Sequence, residues 1–184
     1  DGSRVRGPHH GPQSCSASAE ESFPHDRPST WRIHVEEASY GYPIIGIDSS
    51  SFPHLVSEQM SSSFFGWSSG GITWSHGEPF INNNHPSLSL SPSNTYHNEF
   101  HGFRTGDVLI FRYNPLATST STSTYHATLS MLLLRTYKIW SIPLISPIDI
   151  KNSNNNVKRF RINVNLSHRQ QCVKIQKALQ EDEN

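Results

Sequence analysis

Apolar and polar residues alternate through Trp31-Arg32-Ile33-His34-Val35-Glu36. A period of two turns one face inward and the other to water, so a half-buried strand is predicted from Thr30 onward. Tyr40-Gly41-Tyr42-Pro43 reads as a turn, and Ile44-Ile45-Gly46-Ile47-Asp48 as a second strand. Phe64-Phe65-Gly66-Trp67 and Ile72-Thr73-Trp74 flank Ser68-Ser69-Gly70-Gly71, the pattern of a hairpin, and His76-Gly77-Glu78 is a further tight turn. Val108-Leu109-Ile110-Phe111-Arg112-Tyr113 starts apolar on both faces, as a central strand does, and Asn114-Pro115 ends it. Strands are also predicted over 127–135, 137–144 and 172–175. The cleanest alternation is at 159–166. Phe160, Ile162, Val164 and Leu166 fall on one face, opposite Arg159, Arg161, Asn163 and Asn165. Residues 176–180 suggest a short helical turn. No stretch carries an apolar stripe at helical period, so the chain is predicted all-β, a sandwich or barrel of short antiparallel strands.

Composition narrows the ordered region. The hydrophobic share is 34%, below the usual globular value. The deficit is concentrated in residues 1–29, where Val5 and Phe23 are nearly the only large apolar side chains. This stretch is predicted to be a disordered tail, because it has little to bury against the entropy of ordering. Residues 82–97 read as a long surface loop, 118–124 as a low-complexity Ser/Thr insertion, and 153–156 as an Asn-rich turn. The domain is accordingly expected over 30–176, followed by a solvated tail at 177–184.

Three segments together resemble the SPRY (B30.2) family. They are Ile45-Gly46-Ile47-Asp48, then Phe65-Gly66-Trp67-Ser68-Ser69-Gly70-Gly71, then Phe103-Arg104-Thr105-Gly106-Asp107-Val108 running on to Phe111-Arg112-Tyr113. Trp31–Val35 is similar to the family's early strand. The Ser/Thr tract departs from the pattern, standing where an asparagine-glycine step and strand are expected. The resemblance implies a bent two-sheet antiparallel β-sandwich and a non-enzymatic protein-binding role. Such domains often serve as the substrate-recognition part of ubiquitin ligases and other signalling assemblies. It further implies that loops at one end form the binding face, with 38–43, 49–62 and 82–101 as candidates. Tyr40, Tyr42 and Phe52 are the candidate partner-binding residues, because aromatic side chains anchor interfaces at low entropic cost. Trp67 and Trp74 are expected in the core.

Charge and chemistry add mostly exclusions. Fifteen basic residues balance fifteen acidic ones, which argues against a nucleic acid or an anionic membrane as partner. In Lys158-Arg159-Phe160-Arg161 the ring faces away from Arg159 and Arg161, so a solvated strand face is favoured over a nucleic-acid site. The longest apolar run, Met131–Leu134, is too short to span a bilayer. Two cysteines, Cys15 and Cys172, are no disulfide framework and favour an intracellular, cytoplasmic setting. Asn165-Leu166-Ser167 is a formal glycosylation sequon at a strand end, and the chain begins without Met.

Eleven histidines invite a metal reading. His97 and His101 have ligand spacing only on a helix, and His168 with Cys172 lacks further ligands. A copper-type sandwich using His126, Cys172 and Met131 is the alternative reading, and a lectin-like carbohydrate binder is another. No metal or cofactor is assigned. No nucleophile elbow or phosphate-binding glycine pattern occurs, and Glu36-Glu37 point to opposite faces. No catalytic residue is assigned, and the chain is expected not to be an enzyme.

Overall fold

The alternating segments do become strands. The computed structural model describes residues 2–8, 15–23, 27–39, 42–49, 61–80, 100–115, 124–147 and 160–178. Those residues form twelve strands and no helix. They are β1 (Ser3–Arg6), β2 (Cys15–Ser22), β3 (Ser29–Glu37), β4 (Ile44–Asp48), β5 (Phe65–Ser68), β6 (Thr73–Ser75), β7 (Glu78–Phe80), β8 (Val108–Pro115), β9 (Thr124–Leu133), β10 (Lys138–Pro147), β11 (Arg161–Leu166) and β12 (Cys172–Lys177). They make two antiparallel six-stranded sheets. Sheet A has the order β1-β12-β3-β8-β9-β10, and sheet B the order β2-β11-β4-β5-β6-β7.

Period-two burial builds the core between them. Trp31, Ile33 and Val35 of β3 and Leu109, Phe111 and Tyr113 of β8 face Ile45, Ile47, Trp67, Ile162, Val164 and Leu166 of sheet B. The Phe111 and Trp67 rings meet across the gap edge to face, centroids 5.6 Å apart. On the opposite face of sheet B, Gly46 pairs with Gly66. A Cβ on Gly46 would lie 2.0 Å from the Phe65 carbonyl oxygen and 2.8 Å from the Phe64 ring. The glycines therefore let two backbones and an aromatic ring approach where any side chain would collide.

The N-terminal expectation is overturned. Residues 3–6 and 15–22, inside the expected disordered tail, are β1 and β2, and each forms an edge of one sheet. β1 pairs with β12 from Ser3↔Ile175 to Arg6↔Cys172, and β2 pairs with β11 from Leu166↔Cys15 to Arg161↔Ser22. Backbone pairing does not require large side chains, and the two that exist are placed inward. Val5 packs against the core, and Phe23, 1% exposed, lies against Trp31 and Tyr113. A Lys177–Glu21 ion pair links β12 to β2 across the sheets.

Two smaller corrections follow from register. Trp67 is in the core, but Trp74 pairs with Gly66 on the outer face of sheet B and is half-buried. Gln176 and Lys177 belong to β12, not to a helical turn. The expected segments 82–97, 118–123 and 153–156 lie outside the described residues, while Thr124 opens β9.

Replacing Phe111 by Ala is expected to cost about 3–5 kcal/mol, since the ring is fully buried and bridges the sheets. Urea denaturation checks this. Gly46→Ala should prevent the β4–β5 approach and lower the midpoint further still, and an unchanged midpoint would contradict the observed pairing.

Candidate functional site

The turn before β8 organises one end of the sandwich. Asp107 N–H donates to the Arg104 carbonyl at 3.0 Å, and Gly106 has φ +87°, the left-handed conformation that glycine adopts without penalty at this turn position. The Asp107 side chain is 3% exposed, and a buried carboxylate must be paired. It accepts from Arg104 N–H at 2.9 Å and from Arg135 Nε at 2.7 Å, with Arg135 Nη2 at 3.2 Å. Arg135 lies in the β9–β10 turn, so the carboxylate ties two turns together. Val35 N–H donates to the Asp107 carbonyl, and Gly106 N–H to the Val35 carbonyl. Thr105 Oγ1 receives the Ala38 N–H and donates to Glu37 Oε1.

Neighbouring turns complete this end. Ser69 N–H donates to the Pro43 carbonyl, joining the β3–β4 connection to the β5–β6 turn, and Ser68 Oγ accepts from Ile72 N–H. Phe100 meets Trp140 edge to face at 4.9 Å. Around these anchors the apolar surface is exposed. Among the described residues, the large apolar side chains with high exposure are Tyr42 at 70%, Ile72 at 44%, Tyr137 at 81% and Ile139 at 57%. The first three lie in turns at this end, and Ile139 is the second residue of β10, which starts here. Tyr137 is held in a left-handed conformation, φ 54°, while its N–H donates to the Leu133 carbonyl. Sequence reasoning did not single out Ile72, Tyr137 or Ile139. Tyr137 closes the four-residue turn Leu134–Tyr137, where the sequence predicts the start of a strand.

Of the three predicted partner-binding residues, Tyr42 is at this end. Tyr40 and Phe52 lie outside the described residues. The flanks of segment 49–62 are at the opposite end, because β4 runs from Ile44, beside Ser68, to Asp48, where Ser63 Oγ donates to Asp48 Oδ1 at 2.6 Å. Five residues of strand, roughly 14 Å, separate those flanks from Tyr42.

The remaining chemistry-bearing residues are dispersed. Cys172 and Met131 are on β12 and β9, with β3 and β8 between them, about 14 Å apart by strand spacing and too far to share a metal. The His126 side chain, and His97, lie outside the described residues, which contain no group of three His, Cys, Asp or Glu side chains arranged to hold a metal. Phe160 is buried and Arg161 exposed, while Lys158 and Arg159 lie outside the described residues. Glu36 is ion-paired to Arg4 at 2.7 Å and accepts from Cys172 Sγ at 3.1 Å. The Arg4 hydrogen bond, then the Cys172 one, hold its carboxyl below the ordinary range. Burial, then the Glu36 hydrogen bond, push the Cys172 thiol up.

No protein-family model matches the sequence, and no curated protein matches it. Solved structures do. A human SPRY domain superposes with a TM-score of 0.57 at 10% identity, covering 95% of this chain and 91% of that one. The chain has the SPRY fold. The SPRY domain of human HERC1 is also similar, with a TM-score of 0.49 and 13% identity over 94% of this chain and 88% of that one. An alginate lyase from Aplysia kurodai matches with a TM-score of 0.38 and 8% identity, over 82% and 67% of the two chains. In the SPRY fold of this chain, Asp107 and Gly106 form the turn ahead of the central strand of sheet A, as the Gly-Asp-Val motif implied.

Asp107→Ala is expected to leave the Arg104 N–H without its acceptor and to cost about 1–3 kcal/mol. A double-mutant cycle with Arg135→Ala should show non-additive losses in urea denaturation, and additive ones would mean that the two groups do not interact. The Cys172 thiol, kept neutral by burial, is expected to react with iodoacetamide at mildly alkaline pH far more slowly than a cysteine peptide. Performed in a Cys15→Ser background, labelling should reach the peptide rate only in denaturant.

Proposed function

We propose that this chain is a non-catalytic protein-interaction module that recognises its partner through loops at the Asp107 end of the sandwich. The observation that carries the reading is the gathering of Tyr42, Ile72, Tyr137 and Ile139 at that end, all exposed and all on rigidly hydrogen-bonded turns or a strand start. Exposed apolar groups on a pre-ordered frame gain area on binding without a large ordering cost. Tyr40, two residues from Tyr42, belongs to the same proposed surface. Phe52, in a segment whose flanks are at the far end, would belong to a second one. The SPRY fold supports protein recognition as the general role, and the substrate-recognition part of a ubiquitin-ligase or signalling assembly is a setting in which such a module would act.

Affinity capture with quantitative mass spectrometry tests this. A Tyr42→Ala/Tyr137→Ala variant of matched stability should lose a specifically captured protein by tenfold or more, as expected for aromatic anchors worth about 2 kcal/mol. Phe52→Ala should retain it. Equal capture by wild type and the double variant would remove these tyrosines from the binding face.

A further inference from the structure

The outer face of sheet A carries two kinds of surface side by side. Register sets Arg32 opposite Ile110, Ile110 opposite Leu132, and Leu132 opposite Ile139, giving one row across four strands. A parallel row runs Arg4, Lys174, His34 and Val108, and Arg112 stands opposite Thr30. Arg4, Arg6, Arg32, Arg112 and Lys174 share this face with two acids, Glu36 and, across the bulge opposite Cys172, Glu37, so five positive charges less two negative leave an excess of three. Glu36 is already engaged by Arg4 and Cys172. Arg32 and Arg112 are exposed and have no side-chain partner among the described residues. An open depression beside these residues is lined by His34, Val35, Glu36, Gly106, Asp107, Lys174 and Gln176, its Asp107 carboxylate being taken up by Arg135.

We infer that this face docks an acidic polypeptide segment that carries aliphatic residues beside its acidic ones. The sign of the charge selects the acid, and the Ile110–Leu132–Ile139 row selects the aliphatic part. Arg32 and Ile139 are three strand spacings apart, about 14 Å. An extended peptide covers that in roughly four residues. A second copy of the chain is disfavoured, because a two-fold contact would bring the same positive face against itself. The one aromatic ring in these rows, the His34 imidazole, is half-buried, so they offer no platform of successive rings on which nucleic-acid bases could stack. Val108, Ile110 and Leu132 are half-buried and offer no wedge to a membrane. This surface adjoins the loop end and shares Ile139 with it, whereas Arg32 and Arg112 belong to this face alone, so reversing their charge separates the two readings.

The test is fluorescence anisotropy with a labelled peptide in which a run of glutamates precedes leucines. Comparison probes are a lysine-for-glutamate peptide, oligodeoxythymidine and phosphatidylserine vesicles. The glutamate–leucine peptide is expected to bind, more weakly as salt rises, and the lysine peptide not to. Arg32→Glu/Arg112→Glu should weaken binding about tenfold or more, Ile139→Ser should weaken it at all salt concentrations, and Tyr42→Ala should leave it unchanged. Absence of binding, insensitivity to the double charge reversal, or tighter binding of the oligonucleotide or vesicles overturns the inference. Loss on Tyr42→Ala with none on Ile139→Ser would do so too, by moving the peptide to the loop end.

Discussion

The carboxylate of Asp107 is the interaction on which the arrangement turns. A charge buried to this degree is stable only when its lone pairs are filled, and they are filled by the backbone of its own turn and by a guanidinium from another. Three consequences follow. The turn fixes where β8 enters sheet A, and so places Phe111 opposite Trp67. The Val35 hydrogen bonds lock β3 in register at the same level. Arg135 holds the β9–β10 turn, which presents Tyr137 and begins the strand that carries Ile139. Core registry and the exposed apolar end are thus set by one group.

Strand positions were legible where side chains alternate in size and polarity. β3, β5, β6, β8 and β11 were read from alternation or from Gly-bounded aromatic runs, because burial on one face leaves that imprint directly. β1 and β2 were not. Their stability comes from ladder hydrogen bonds to β12 and β11 and from two apolar anchors, Val5 and Phe23, and hydropathy does not register backbone pairing. Trp74 was assigned inward because a tryptophan reads as core, whereas its face is decided by pairing with Gly66. Arg135 was missed because its partner is 28 residues away and neither residue announces a pair.

The candidate site was legible in part for a related reason. Tyr42 was found because a Gly–Pro turn exposes its neighbours. Tyr137 and Ile139 were absorbed into a predicted strand, since a hairpin turn without Gly or Pro at its tip leaves little trace in composition. The flanks of 38–43 and 49–62, grouped in sequence as parts of one binding face, lie at opposite ends, because a single strand, β4, carries the chain from one end to the other between them. Parity of strand crossings, invisible to a loop-by-loop reading, decides which loops are neighbours.

The edge strands also explain why a neutral chain has a charged face. Net charge is a sum, and it carries no information on sidedness. With β1 added to sheet A, Arg4 and Arg6 stand beside Lys174 and two strands from Arg32. Without it, β12 would be an edge and the basic residues fewer. At the other edge, Pro143 and Pro147 of β10 remove backbone donors along the open side, which discourages another strand from adding there. A partner that approaches sheet A is therefore directed away from the edge and toward its face, where the positive charges and the aliphatic row lie in register.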